Sequence, residues 1–136
     1  MRLLIDANVF YDVLARRDEF HDTSRAVLRF CEDGRGDGFV SALTAANLHY
    51  MGCKLIGREK TDAALKSILQ VFGVAGLTAS DLKKALNKKG DFEDALQMSA
   101  AERVKADLII TRDLKHFAGG RIKALSPADF CKEFCG

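Results

Sequence analysis

The chain has 136 residues, of which 48% are hydrophobic and 29% charged, a balance that fits one globular domain and excludes a fibrous or low-complexity chain. Its net charge of +2 neither proves nor excludes a nucleic-acid partner. No signal-peptide pattern opens the chain and no apolar run reaches the ~18 residues of a membrane span, so we expect a cytoplasmic protein without membrane association.

Short apolar runs alternate with longer segments of helical spacing along the chain. Strands are predicted at residues 2–5, 39–41, 71–77, 107–111 and 121–125. Helices are predicted at residues 8–16, 23–31, 44–57, 59–70, 79–88 and 92–105, and a terminal helix begins at Ser126-Pro127. Strands separated by helices predict βαβ units in an α/β fold, with a mainly parallel sheet and helices on both of its faces. We expect a single domain over residues 1–136.

Capping residues mark several of the predicted helix starts. Asp22 or Thr23 is expected to cap the helix at residues 23–31, and Thr78 or Ser80 the helix at residues 79–88. Pro127 fits the first position of the terminal helix, where a missing N–H is tolerated.

The four cysteines do not form a zinc-binding pattern. Cys31, Cys53, Cys131 and Cys135 include no CxxC pair, and the three histidines lie far from them in sequence. We therefore expect reduced thiols rather than a zinc site.

Three acids stand where strands end or where the following helices begin. Asp6 ends the first strand, Asp113 follows the strand "DLIIT", and Asp94 lies in the first turn of the helix that leads into that strand. In a parallel α/β sheet these positions meet, because ligands bind at the carboxyl ends of the strands. The three carboxylates are therefore predicted to converge.

Helix capping is the alternative interpretation of each acid taken singly. Asp6 can cap the helix that starts near Asn8, and Asp113 can cap the turn "LKHF". Asp91 and Asp94, three residues apart, resemble a capping box with Asp in place of Glu or Gln.

The acids taken together favour a metal site. The helix after Asp94 is apolar on more than one face, so the acids at its start are drawn toward the interior. Clustered carboxylates repel one another, and burial raises that cost. A divalent cation reverses the penalty, and hard oxygen ligands suit Mg²⁺ or Mn²⁺.

Four segments carry a resemblance to a known family. They are "LLIDANVFYDVL" at residues 3–14, "DFEDALQMSAA" at 91–101, "ADLIITRDLKHF" at 106–117 and "ALSPADF" at 124–130. In this order and spacing the sequence resembles the PIN-domain family, the nuclease fold of VapC-type toxins. "SALTAANLHYM", residues 41–51, is similar to the corresponding segment in one bacterial branch of that family.

The resemblance implies a Mg²⁺- or Mn²⁺-dependent ribonuclease. Asp6, Asp94 and Asp113 match the first, third and fourth acidic positions of the family, and would hold the ion. The second acid is usually a Glu, and Asn47 stands at or beside its place; its carbonyl can still coordinate the ion or hold a metal-bound water. Thr111 matches the hydroxyl residue that supports the fourth acid. The negative charge that Asn47 lacks, compared with the usual Glu, can be supplied by two further acids near the start of the helix of Asp94, namely Asp91 and Glu93.

The resemblance also implies the architecture and the partners. The expected strand order is 3-2-1-4-5 with helices on both faces, and the expected assembly is a homodimer. A toxin of this kind implies an antitoxin protein that blocks the acidic cleft. RNA would be held by basic residues; the candidates are Arg16, Arg17, Lys54, Arg58, Lys83, Lys84, Lys88 and Lys89, with Tyr11 and Tyr50 for stacking and Arg112 as a phosphate contact or a solvent-facing side chain.

Three other classes compete with this interpretation. A haloacid-dehalogenase-type phosphatase also places an Asp at the end of its first strand, but it needs a second Asp two residues later, where this chain has Asn8. Response-regulator receivers place acids at the same edge, and the "TRD" segment does not fit them. A PIN-like module that binds RNA or protein without cutting is favoured by Asn47.

Overall fold

The computed structural model describes residues 1–136 and contains one five-stranded sheet in which all neighbouring strands are parallel. The strands are β1 (Arg2–Ile5), β2 (Asp37–Ser41), β3 (Gly73–Ala75), β4 (Leu108–Ile110) and β5 (Lys123–Leu125). They lie in the order β3-β2-β1-β4-β5, which confirms the predicted α/β fold and its strand order 3-2-1-4-5.

Seven α-helices connect and follow the strands. They are α1 (Ala7–Leu14), α2 (Asp18–Glu32), α3 (Ala42–Ile56), α4 (Arg58–Val71), α5 (Ala79–Asn87), α6 (Phe92–Arg103) and α7 (Pro127–Phe130). A 3₁₀ turn at Leu114–Phe117 joins β4 to β5, and a π-helical turn at Cys131–Cys135 extends α7.

The hydrophobic core is divided between the two faces of the sheet. In β1, Leu3 and Ile5 point to the face covered by α1, α2 and α7, whereas Leu4 points to the face covered by α6. All three side chains are fully buried, as expected for a central strand of a parallel sheet with helices on both faces. The result is a three-layer α/β/α arrangement whose strands end together at one edge.

Several predicted boundaries shift for local reasons. Helix α2 begins at Asp18, so the expected caps Asp22 and Thr23 lie inside it; Asp18 and Glu19 occupy the first turn, where negative charge is favourable. Strand β3 is three residues long rather than seven: α4 continues through Val71 with Phe72 as its C-cap, and the strand ends at Ala75.

Two helix starts follow their sequence signals. Thr78, rather than Ser80, caps α5, and it forms a reciprocal capping box with Asp81. Ser126 caps α7 with Pro127 at the first turn. None of the helices combines the length and the apolar character that a bilayer crossing requires.

Candidate active site

The pairing of β1 with β4 brings two segments that are far apart in the sequence to one point on the sheet edge. Ile5 pairs with Ile110, and the ladder continues one step further because the Asp6 N–H donates to the Ile110 carbonyl at 2.9 Å. Asp6 therefore lies beside Thr111 where both strands end, and Asp113 follows two residues later.

Asp6 is held on both carboxylate oxygens. Its Oδ1 accepts hydrogen bonds from the Ala7 N–H and from Gln97 Nε2, each at 2.9 Å. Its Oδ2 accepts from the hydroxyl of Thr111 at 2.8 Å. Asp6 is thus the N-cap of α1, and it is also oriented by Thr111, directly after β4, and by Gln97 of α6. The capping and site interpretations of this residue are compatible.

Asn8 lies between Asp6 and Asp113. Its Nδ2 is 3.4 Å from Asp6 Oδ2, 3.3 Å from Asp113 Oδ2 and 3.2 Å from Thr111 Oγ1. Its Oδ1 accepts the backbone N–H of Arg112 at 3.2 Å, which ties the loop after β4 to α1. One amide group therefore bridges two carboxylates that would otherwise repel each other.

Asp94 reaches the same region from the first turn of α6. Asp91 caps that helix, because its carboxylate accepts the Asp94 N–H at 3.0 Å, but Asp94 does not return the bond as in a full capping box. Instead its Oδ2 lies 3.1 Å from His116 Nδ1. Burial raises the pKa of the Asp94 carboxyl; His116 opposes that rise, and the charges of Asp91 and Asp6 add to it.

These side chains line a cavity of about 350 Å³, which we call the acidic cavity. Among the residues that line it are all the predicted site residues except Thr111, namely Asp6, Asn47, Asp91, Glu93, Asp94 and Asp113. Thr111 is fully buried beneath Asp6. Asp113, the predicted cap of the 3₁₀ turn, makes no capping bond there, so its carboxylate remains available to the cavity.

No three His, Cys, Asp or Glu side chains are close enough together to form a ready metal cluster. The reason is visible in the hydrogen bonds: Asn8 lies between Asp6 and Asp113, and His116 holds Asp94. The donor chemistry nevertheless fits a hard divalent cation, since five carboxylates face one cavity with an amide oxygen available from Asn47.

Gln97 is a site residue that the sequence analysis missed. It is buried in α6, three residues after Asp94. Besides Asp6, its Nε2 donates to Thr44 Oγ1 at 3.0 Å, and its Oε1 accepts the hydroxyl of Ser41. This network links the ends of β1 and β2 to α3 and α6. The available signal was a polar amide on the otherwise apolar face of α6.

Arg112, expected as a phosphate contact or a solvent-facing side chain, lines the acidic cavity and is mostly buried, because it pairs with an acid of α1. Its Nε and Nη2 donate to the two oxygens of Asp12 at 2.8 and 2.9 Å, and its guanidinium lies 4.0 Å from the ring centroid of Phe20. Asp12 is fully buried and also accepts the Ser24 hydroxyl at 3.0 Å. The loop that carries Asp113 is therefore anchored to α1 and α2.

The raised pKa of Asp94 predicts a pH-dependent effect on stability. Below the unfolded-state pKa both states are protonated; as pH rises, the unfolded chain releases its proton first, so ionisation of Asp94 favours unfolding. Asp94→Asn should therefore raise the Tm in EDTA at pH 7 but not at pH 3. Thermal melts at both pH values measure the effect.

A second variant serves as the control for this experiment. His116→Ala removes the partner that opposes the shift, so the gain from Asp94→Asn at pH 7 should be larger in that background. An equal gain at pH 3 and pH 7 would contradict the electrostatic explanation.

Comparison with known proteins adds a family and a set of similar folds. The family model described as a PIN domain matches residues 2–115. Similar structures include VapBC2 from Rickettsia felis bound to a promoter DNA fragment (17% identity, 93% of this chain and 98% of that chain, TM-score 0.66). A toxin–antitoxin complex from Klebsiella pneumoniae (20%, 92% and 97%, 0.66) and VapBC-1 from Haemophilus influenzae (16%, 94% and 99%, 0.66) are similar to the same extent. No curated protein sequence matches the chain.

Proposed function

Because the chain belongs to the PIN-domain family and five carboxylates line one cavity at its sheet edge, we propose that it is a ribonuclease dependent on Mg²⁺ or Mn²⁺. The acidic cavity is the observation that carries the proposal. Without a cation its charge would repel the phosphodiester of any RNA substrate. A divalent ion held by these carboxylates would offset part of that charge and would supply an activated water for hydrolysis.

Some side chains of the cavity would hold the ion, and others orient the side chains that hold it. In the proposal Asp6, Asp94 and Asp113 hold it, and Asn47 contributes its carbonyl from α3. Thr111 and Gln97 fix Asp6 by hydrogen bonds to opposite oxygens, at 2.8 and 2.9 Å. Mutation of groups that hydrogen-bond a metal ligand typically lowers metal affinity or activity 10–100-fold.

A binding module without catalysis is the second candidate function. The observation that favours it is Asn47, which occupies the cavity wall where the resemblance places a Glu. An amide adds no negative charge, so it binds a cation more weakly than a carboxylate.

We further propose that the protein is the toxin of a toxin–antitoxin pair, acts in the cytoplasm and forms a homodimer. Solved structures with the same fold include toxin–antitoxin complexes. Beside the acidic cavity, α3 exposes three large apolar side chains: Tyr50 by 63%, Met51 by 41% and Leu55 by 47%. Exposed apolar patches of this kind mark protein interfaces. Sedimentation equilibrium of the purified chain tests the dimer.

The proposed activity predicts a metal-dependent effect on both RNA and stability. With millimolar Mn²⁺ the protein should cleave a mixture of single-stranded and structured RNA, and with EDTA it should not. Mn²⁺ at about 100 times its Kd should stabilise the fold by about 2.7 kcal/mol, which raises the Tm by several degrees. Intact RNA together with an unchanged melting curve would refute the proposal.

A further inference from the structure

The acidic cavity is followed, past Asp94, by a groove between two connecting segments. One wall is residues 88–90, which lead into α6, and the other is residues 118–120, which lead into β5. The groove shares Asp91, Asp94 and His116 with the acidic cavity, so the two spaces adjoin.

A second hollow of about 470 Å³ adjoins this groove at Lys88. Every residue that lines it is polar or charged, and its cations include Lys84, Lys88 and Arg121. Because no hydrophobic residue lines the hollow and its surface is mostly polar, its chemistry suits a charged, hydrated ligand better than an apolar protein side chain.

Most of the positive side chains here have no ion-pair partner. Within the hollow Arg103 is neutralised by Asp81 at 2.7 Å, but none of the seven ion pairs in the chain includes a lysine or Arg121. Glu102 is the one other acid that lines the hollow. We call the uncompensated residues Lys84, Lys88, Lys89 and Arg121 the basic track.

We propose that the basic track binds the phosphate backbone of RNA on one side of the scissile bond; this inference rests on the proposed function. Ser99 and Arg103 line the hollow five and nine residues beyond Asp94 in α6, which places it roughly 8–14 Å along the helix from that acid. A strand lying in the acidic cavity therefore reaches the track within a few nucleotides.

The basic track also accounts for how an anion approaches an acidic cavity. Five carboxylates line that cavity, whereas the track presents four cations beside it. Backbone binding of this kind releases counterions and is strongly salt-dependent, and it requires no base-specific contact. RNA binding should therefore persist when the divalent ion is removed, and it should weaken steeply with salt.

Fluorescence anisotropy of a labelled oligouridine in EDTA tests the basic track. The double variant Lys88→Gln/Lys89→Gln removes two phosphate contacts, so the slope of log Kd against log[salt] should fall by about 1.4, at ~0.7 per contact with single strands. The matched control, Lys60→Gln/Lys66→Gln, removes two exposed lysines from α4, and its slope should equal that of the wild type. Far-UV circular dichroism verifies that both variants are folded.

The outcomes separate the track from the nuclease. If the wild type cleaves RNA and the Lys88/Lys89 variant keeps the wild-type salt slope, the RNA-binding role of the basic track is refuted and the ribonuclease proposal is retained. If the wild type cleaves no RNA with Mn²⁺ but the variant has the smaller salt slope, the RNA-binding role of the basic track is supported and the ribonuclease proposal is refuted. A wild type that binds no RNA in EDTA overturns the track.

Discussion

Asp6→Asn should reduce Mn²⁺-dependent RNA cleavage by more than about 100-fold, since loss of an outer partner alone commonly costs 10–100-fold. The change removes the negative charge at the point where β1, β4 and α6 meet. It should preserve the fold, because Asn also caps helices and can still accept the Ala7 N–H. Initial rates on a labelled RNA measure the loss, and Asp113→Asn should behave alike.

Asp22→Asn is the matched control, because Asp22 is an exposed acid of α2 outside the cavity. It should retain wild-type rates. If Asp6→Asn, Asp113→Asn and the wild type share one residual rate, the cleavage comes from a contaminant and the catalytic assignment is lost. Expression in a bacterial host adds a second readout for the toxin proposal: the wild type should arrest growth, and Asp6→Asn should not.

Arg112→Ala should lower the free energy of unfolding by about 3–5 kcal/mol, since it leaves a buried carboxylate without its partner. Asp12 is completely buried, and the Arg112 side chain is only 22% exposed, so solvent screens this pair weakly. A loss of that size lowers the Tm by roughly 10–15 °C in a chain of this length. Urea denaturation measures it.

Two comparisons isolate the buried pair. Arg25→Ala breaks a half-exposed ion pair with Glu32 and should cost less than about 1 kcal/mol. The double variant Asp12→Ala/Arg112→Ala should be more stable than the sum of its single changes by about 1–3 kcal/mol. Additive losses would mean that the two side chains do not depend on each other.

The architecture followed from local signals in the sequence. Buried apolar runs such as "LLI" and "DLII" were short and bounded, and the helical segments between them implied parallel strands. From that arrangement alone, Asp6, Asp94 and Asp113 were expected at one edge, and they do line one cavity. Their role as metal ligands stays a prediction.

The supporting contacts could not be predicted, because they join residues far apart in the chain. Gln97 meets Asp6 across 91 positions, and Arg112 meets Asp12 across 100. Sequence periodicity shows that Asp12 and Gln97 lie among apolar neighbours, which indicates that a buried polar group needs a partner. It does not indicate which residue that partner is.

Helix and strand ends were the least accurate part of the prediction. Three of residues 18–22 are acids, so the apolar pattern predicts a helix only from residue 23, although Phe20 packs against Arg112. Tertiary contact and favourable charge at the helix start together extend α2 by a full turn beyond its apolar pattern.

The pairing of β1 with β4 has a consequence for biosynthesis. Asn8 and Asp113 are separated by 105 positions, so at 5–20 residues per second a ribosome needs roughly 5–20 s to supply the second after the first. Until then the nascent polypeptide holds the other acids of the cavity without Asp113. The acidic cavity is therefore assembled only after residue 113 has been synthesised, when β4 and the loop that follows it join the sheet beside β1.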